Sequence, residues 1–297
     1  MVKNSMQNTS EIKKKSLDSV EKFWEENLCG AHYIDSDISE YTLDFFEKYR
    51  DFRYKKEHHL DTLIDWTSSK GKTVLEVGLG LGADAQRWAQ YAKSLHGIDL
   101  TIKAVNATKA HLKLMSLEGV IIQGNVEELP YEDETFDLVY SQGVLHHTHN
   151  TASALQEIHR VLKVDGQGVF MFYTKNSLNY WLRIQLIMRI KFLWAMLTQK
   201  IGYKPKGIWL QHMANFDKFS WKYFSWSAWP HSCTDGPNCE VAYIRSKNEL
   251  IQMLTLSGFK IDKTVKTHFP IGAGATIEAW LAKWIGFYQF FWVTKND

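Results

Sequence analysis

Hydrophobic positions fall into two rhythms along the chain. Over 11–28 and again over 39–67 they recur at helical intervals. The second stretch carries Tyr41, Phe45, Phe46, Tyr49 and Phe52, then Leu60, Leu63 and Ile64, and the spacing predicts amphipathic helices. From residue 72 short apolar runs alternate with helical stretches, as in βαβ units built around a parallel sheet. Strands are expected near 73–77, 94–98, 119–123, 136–140 and 167–173, with helices near 82–92, 102–116 and 151–163 between most of them. The alternation breaks over 177–245 and resumes with a helix over 246–257, a stop at Gly258, a strand near 259–268 and a last strand near 287–294. That terminal pair predicts an antiparallel edge on the sheet.

The chain therefore divides into a helical N-terminal cap (1–70), an α/β core (71–176), an inserted segment (177–245) and a completion of the core (246–297). With 297 residues it is long enough to bury a sizeable core without staples. Aromatic residues sharpen the boundary at 177. Sixteen lie between 170 and 230, far denser than in the preceding hundred residues, and they predict an aromatic lid around an apolar acceptor pocket.

Charge and cysteine usage narrow the function classes. A net charge of +2 with acids and bases interspersed lacks the basic footprint of a nucleic-acid binder, which leaves a small-molecule or peptide substrate. Cys29, Cys233 and Cys239 form no close pair, which fits a reducing compartment. Residues 1–20 are polar and Lys-rich, unlike a secretory signal, and the expected location is the cytoplasm. The apolar stretch 178–201 is long enough to span a bilayer, but Arg183, Arg189 and Lys191 interrupt it. A basic helix on a membrane surface and a helix packed over the active site both fit it. His212, His231, Cys233 and Cys239 lack the paired spacing of a structural zinc site, and no metal is expected.

The strongest chemical signal is TVLEVGLGLGADAQRWA, an apolar run leading through Glu76 into Gly78, Gly80 and Gly82 and then a helix. Side chains at the glycines would keep the backbone from a ligand, and the helix start presents free N–H groups. Gly78, Gly80 and Ala83 also satisfy the G-x-G-x-x-A dinucleotide fingerprint, so a nicotinamide or flavin enzyme stays open at this step. Asp99 closes the run SLHGIDL about twenty residues later, where a carboxylate can accept both hydroxyls of an adenosine ribose or cap the helix that starts at Thr101.

Two further segments, GNVEELPYEDETFDLVYSQGVLHH and EIHRVLKVDGQGVFMFYT, complete an order of motifs over 72–176 that resembles class I S-adenosylmethionine-dependent methyltransferases, in the broad group of small-molecule and quinone methylating enzymes. The resemblance implies a Rossmann-like, seven-stranded, mostly parallel sheet and S-adenosyl-L-methionine as cofactor. It implies Glu76 and the Gly78/Gly80/Gly82 loop beside the methionine portion, Asp99 on the ribose and Leu100 flanking the adenine, with Asp84 and Thr101 also among the cofactor-binding residues. Asn125 and Val126 stand where the group usually has Asp and Ala, so an acceptor oxygen is kept and a charge is lost. Ser141 and Gly143 match positions whose backbone faces the cofactor amine and sulfur. Upstream, YRDFRYKK resembles a helix whose Tyr reaches the cofactor carboxylate, with Tyr54 the first candidate and Arg53 the second.

These assignments place the reaction centre near His146 and His147, with Tyr173 at a strand end and His231, paired in sequence with Asp235, in the insertion as further candidates for moving a proton. The function expected is in-line methyl transfer to a small aromatic or lipophilic acceptor. The alternatives are a methyltransferase of a modified peptide or its carboxylate and, from other classes, an NAD-dependent oxidoreductase or a non-catalytic cofactor-binding protein.

Overall fold

The computed structural model describes residues 17–31, 34, 37–200, 202, 205–239, 241–269 and 275–296. Seven strands form one sheet: β1 (Thr73–Val77), β2 (Ser94–Asp99), β3 (Val120–Gln123), β4 (Phe136–Gln142), β5 (Leu162–Tyr173), β6 (Phe259–Thr267) and β7 (Tyr288–Lys295). Their order is β3-β2-β1-β4-β5-β7-β6. β1 runs parallel to β2 and β4, and β5 parallel to β4, while β7 is antiparallel to both β5 and β6. The expected antiparallel edge is present.

Burial explains why the central strands read as apolar runs. Val74, Leu75 and Val77 of β1 lie at 0–1% exposure, because helices cover both faces. One layer packs Val74, Leu138, Tyr140 and Phe290 against Phe46, Leu60 and Trp88; the other packs Leu75, Val139 and Phe170 against Leu155, Ile158 and Leu254. Polar residues start the helices by taking up their free N–H groups. Thr42 caps α2 (Leu43–Lys56), Thr101 caps α5 (Ile102–Leu114) and Asn150 caps α6 (Thr151–Val161). Ser246 and Glu249 form a reciprocal capping box on α9 (Lys247–Leu256).

Several boundaries differ from the sequence expectation. The helix expected over 11–28 is described from residue 17 and runs to 26 (α1); residues 11–16 lie outside the described residues. The stretch 39–67 is not one helix. α2 ends where Glu57 leaves helical geometry (φ −111°, ψ 43°), α3 (Leu60–Leu63) adds one turn, and Asp65 caps a tighter turn over Trp66–Ser69. α4 (Ala83–Ala89) starts after Gly82 and stops short of 92. β5 begins five residues before its expected start at 167 and slips past β4 at an irregularity between Phe136 and Leu138. A helix that the apolar pattern did not predict, α10 (Ala275–Ile285), precedes β7.

Between β5 and α9 the chain forms a π-helical stretch (Asn179–Ile187) that continues as α7 (Met188–Lys200), then α8 (Ile208–Phe219) and short turns. This segment has its own core, in which Tyr180, Ile184, Phe192, Met213 and Trp229 pack together. Its aromatic residues are consumed there or lie on the outside.

Candidate functional site

One deep cleft opens at the carboxyl ends of β1, β2, β4 and β5, where the sheet order reverses between β1 and β4. Sheets of this kind bind ligands at that crevice. The cleft encloses about 1320 Å³ counting its open mouth, ample for a nucleoside-sized ligand and a second small molecule.

The glycine loop shapes its floor, and each glycine has a different reason. At Gly78 (φ +80°) a Cβ would drive into the Val144 side chain, and at Gly82 one would sit 3.0 Å from the Thr108 backbone of α5. At Gly80 (φ +54°) a Cβ would make only ordinary van der Waals contact, with Cys29 Cβ at 3.9 Å. Gly82 therefore serves helix packing and does not line the cleft, whereas Gly78 and Gly80 do.

Asp99 sits beside the loop, at the end of β2. One carboxylate oxygen accepts from the Leu79 N–H at 2.7 Å; the other accepts from the Thr101 N–H at 2.9 Å and the Thr101 hydroxyl at 2.8 Å. Thr101, not Asp99, caps α5. Burial raises the Asp99 carboxyl above its ordinary range, against the lowering effect of these hydrogen bonds. Leu100, Thr101, Gly124, Asn125 and Val126 continue the wall.

A charged knot closes the opposite end. Asp84 accepts from Arg53 Nε at 3.2 Å, from the Tyr54 hydroxyl at 2.8 Å and from the Tyr140 hydroxyl at 3.1 Å. Arg53 also lies 3.6 Å from Glu57 and lines the cleft. Tyr54 does not line it, because its hydroxyl is spent on Asp84 and the Ala83 carbonyl; of the two sequence candidates, the second holds the exposed position. Glu76 is 2% exposed, yet its Oε2 has no hydrogen-bond partner and the residue lines the cleft. Burial, and then the Asp84 charge, push the Glu76 carboxyl well above the usual carboxylate range. A buried carboxylate oxygen of this kind is costly unless a cation or donor meets it.

The remaining candidates separate cleanly. His147 and Tyr173 line the cleft together with Asp235, which arrives from the segment between β5 and α9. Tyr173 donates to Asp235 Oδ1 at 3.1 Å, and Asp235 Oδ2 lies 3.5 Å from His147 Nε2. His147 Nδ1 is 2.6 Å from the Val241 carbonyl, so it is the protonated nitrogen and Nε2 points at Asp235. Burial and the Asp235 charge raise the Tyr173 hydroxyl well above its ordinary range, which keeps it a donor. His146 is fully buried, 3.9 Å from the Tyr173 ring, and burial holds its imidazole well below the ordinary range. Neither His146 nor His231 lines the cleft. Ser141 is also absent from its lining; its hydroxyl donates to the Val77 carbonyl at 3.1 Å and ties β4 to β1. Gly143 lines the cleft.

Among the described residues, the group of donors close enough to hold a metal is His147, Asp235 and Cys239, within 4.8 Å of one another, and not the four residues weighed from spacing. His212 is occupied elsewhere, with Nδ1 2.7 Å from the Tyr223 hydroxyl. The aromatic lid also differs from expectation: among the described aromatics between 170 and 230, Tyr173 alone lines the cleft. Its apolar wall comes from α1 instead, through Leu17, Val20 and Trp24, with Leu28 and Met171. Nothing in the sequence of α1 marked those residues, because a helical stripe of Leu, Val and Trp reads equally well as core.

Residues 75–170 match the family described as a methyltransferase domain. This match covers 96 of the 297 residues and likens them to a methyltransferase domain. Curated relatives also match part of the chain. The uncharacterized methyltransferase YcgJ of Bacillus subtilis is 30% identical over 124 residues, 41% of this chain and 49% of that protein. A ubiquinone biosynthesis O-methyltransferase of Alkalilimnicola ehrlichii is 32% identical over 112 residues, 37% of this chain and 45% of that one. The chain thus aligns with about half the length of these relatives. A solved S-adenosylmethionine dependent methyltransferase from Mesorhizobium loti shares the fold, with a TM-score of 0.50 at 16% identity over 80% of this chain and 96% of that one.

The donor set of the cleft fits S-adenosylmethionine, the cofactor that the sequence resemblance implies. Glu76 offers an unpartnered buried oxygen to an ammonium, Asp99 a carboxylate to a ribose and Arg53 a guanidinium to a carboxylate, all in one cleft.

Proposed function

We propose that this protein is an S-adenosylmethionine-dependent methyltransferase acting on a small lipophilic acceptor that carries an ionisable hydroxyl or similar group. The observation that carries the reading is the orphaned Oε2 of Glu76, buried in the same cleft that Asp99 and Gly80 line. When bound, the cofactor supplies an electrophilic methyl group on a sulfonium.

The chain's own residues bind, align and keep water out, which is the main contribution protein makes to an in-line displacement. Glu76 and Arg53 hold the amino-acid end, and Asp99 fixes the nucleoside. Gly143 and Val144 line the cleft between that site and the His147 end. There the apolar wall of Leu17, Val20, Trp24 and Met171 receives the body of the acceptor, and the polar trio of His147, Asp235 and Tyr173 meets its reacting group. As the acceptor oxygen gains the methyl, its proton passes to the facing pair His147 Nε2 and Asp235 Oδ2. Tyr173 donates to the other Asp235 oxygen and fixes that carboxylate in place. These are general-base and positioning roles respectively.

Incubation with methyl-labelled cofactor and a panel of lipophilic phenols, with peptides as the comparison, tests the acceptor class. Label is expected in an organic-extractable phenol ether, and Asp235→Asn is expected to lower kcat by about 100-fold or more with little change in cofactor affinity. Transfer to peptides alone would overturn the acceptor assignment.

A further inference from the structure

Many aromatic and aliphatic side chains between β5 and α9 neither line the cleft nor enter the segment's own core; they face outward. On the helix from Leu178 to Lys200, Tyr180, Ile184, Met188 and Phe192 are buried, while Trp181, Leu186, Ile190, Leu193 and Leu197 on the opposite side are 39–64% exposed. A helix that is apolar all round has a second apolar environment to meet. Trp221 and Trp226 lie exposed farther along the same segment. On α10, Ile277, Trp280 and Trp284 are also exposed, and Lys266 Nζ donates to both the Asn176 and Trp284 carbonyls. That lysine ties the end of α10 to the residues just before the long helix.

Charge says what covers the exposed apolar side chains. Residues 166–234 contain nine Lys or Arg and one acid, Asp217, whereas the rest of the chain contains 26 Lys or Arg and 32 acids. A near-neutral protein thus has its positive charge gathered on the segment that carries the exposed ridge. Arg183, Lys191, Lys206, Lys218 and Lys222 are exposed. Two cations are engaged elsewhere: Lys175 lies 3.3 Å from Glu249, and Arg189 turns inward, donating to the Phe224 carbonyl at 2.6 Å and the Ser225 carbonyl at 2.9 Å, and fastens the helix to the protein. Among the described residues no helix is long and apolar enough to cross a membrane. Exposed tryptophans and aliphatics flanked by solvent-facing cations are what an anionic lipid surface selects, with the rings and chains entering the headgroup boundary and the cations meeting the phosphates.

We propose that this ridge docks the protein on anionic lipid bilayers, with the outward face of the 178–200 helix entering the interface and Arg183 and Lys191 contacting lipid phosphates. Docking requires neither cofactor nor acceptor, so it stands or falls apart from the proposed catalysis.

Sedimentation of the full chain with phosphatidylcholine vesicles, with and without phosphatidylglycerol, tests it. The protein is expected to pellet with the mixed vesicles, to be released by high salt, and to bind pure phosphatidylcholine at least about tenfold more weakly. Leu186→Asp, Ile190→Asp and Leu197→Asp combined are expected to abolish pelleting. Arg183→Glu with Lys191→Glu is expected to remove the preference for phosphatidylglycerol. Both variants should keep the unfolding midpoint, because every altered side chain is solvent-facing. Equal binding to both vesicles, or none by the natively folded protein, would overturn the proposal. So would a dimer that the triple substitution dissociates, since the ridge would then be an interface between copies.

Discussion

Replacing Arg53 with methionine is expected to lower the unfolding midpoint by about 10 °C, the largest effect on stability expected of a change at the cleft. The guanidinium is the centre of a buried set of acids: it bonds Asp84, lies 3.6 Å from Glu57, and its charge opposes the ionisation cost of Glu76. Methionine preserves most of the packing and removes the charge. Deleting one partner of a buried ion pair costs about 3–5 kcal/mol, because the other stays uncompensated in low dielectric. Pairing Arg53→Met with Asp84→Asn should recover much of the loss, since the Tyr54 hydroxyl can still donate to the amide oxygen and the Tyr140 hydroxyl, which also donates to Gln142, can accept from the amide NH2. Thermal unfolding of the single and double variants measures this; a single variant within about 2 °C of the parent would show that the knot contributes little.

The second large effect concerns ligand binding. Asp99→Ala is expected to weaken S-adenosylmethionine by at least about 100-fold, because two charge-assisted hydrogen bonds to ribose hydroxyls contribute about 1.5–3 kcal/mol each. The same carboxylate accepts from Leu79 and Thr101 in the protein, so alanine also loosens the glycine loop. Asp99→Asn separates the two contributions. It keeps one oxygen for Thr101 and therefore the start of α5, while one ribose acceptor becomes a donor. Its amide NH2 then faces the Leu79 N–H, so the asparagine variant should lose that bond, unfold somewhat below the parent and still bind at least about tenfold more weakly. Parent-like affinity in both variants would remove Asp99 from the site.

Much of this architecture was legible because its causes are local or periodic. Strands β1, β2 and β4 announce themselves as apolar runs because helices cover both sheet faces, and α9 because Ser246 and Glu249 stand three apart ahead of an apolar stretch. The glycine loop was legible as a whole but not glycine by glycine. That a Cβ at Gly82 would press on Thr108 while one at Gly80 would make only ordinary contact with Cys29 is a matter of which backbone lies opposite. Neighbouring positions were hardest to separate. Nothing in the dipeptide says that His147 turns into the cleft while His146 turns behind Tyr173; the tight turn over Leu145–His147 decides it. Likewise Arg53 and Tyr54 share one helical turn, and Asp84 draws the tyrosine hydroxyl away.

Long-range partners left little trace in the sequence. Asp235 reaches Tyr173 across 62 positions from an irregular segment. α10 was missed because its apolar residues run on into the aromatic alternation of β7, where periods of 3.6 and 2 blur. The aromatic density at 170–230 predicted a pocket lining, yet those rings build a separate core and an outer ridge, and composition cannot tell an inward from an outward face.

The central claim, that the cleft holds a cationic adenosyl ligand, is tested most directly by calorimetric titration with S-adenosylmethionine and S-adenosylhomocysteine at several pH values, with NADH as the control. Burial raises the Glu76 carboxyl in the free protein, so its neutral form prevails at low pH and its charged form, which meets the ligand ammonium, gains as pH rises. Micromolar affinity for both adenosyl ligands that strengthens with pH, a flat profile in Glu76→Gln, and no heat with NADH are the results expected. Binding of NADH, or no binding of either adenosyl ligand by the folded protein, would contradict the account.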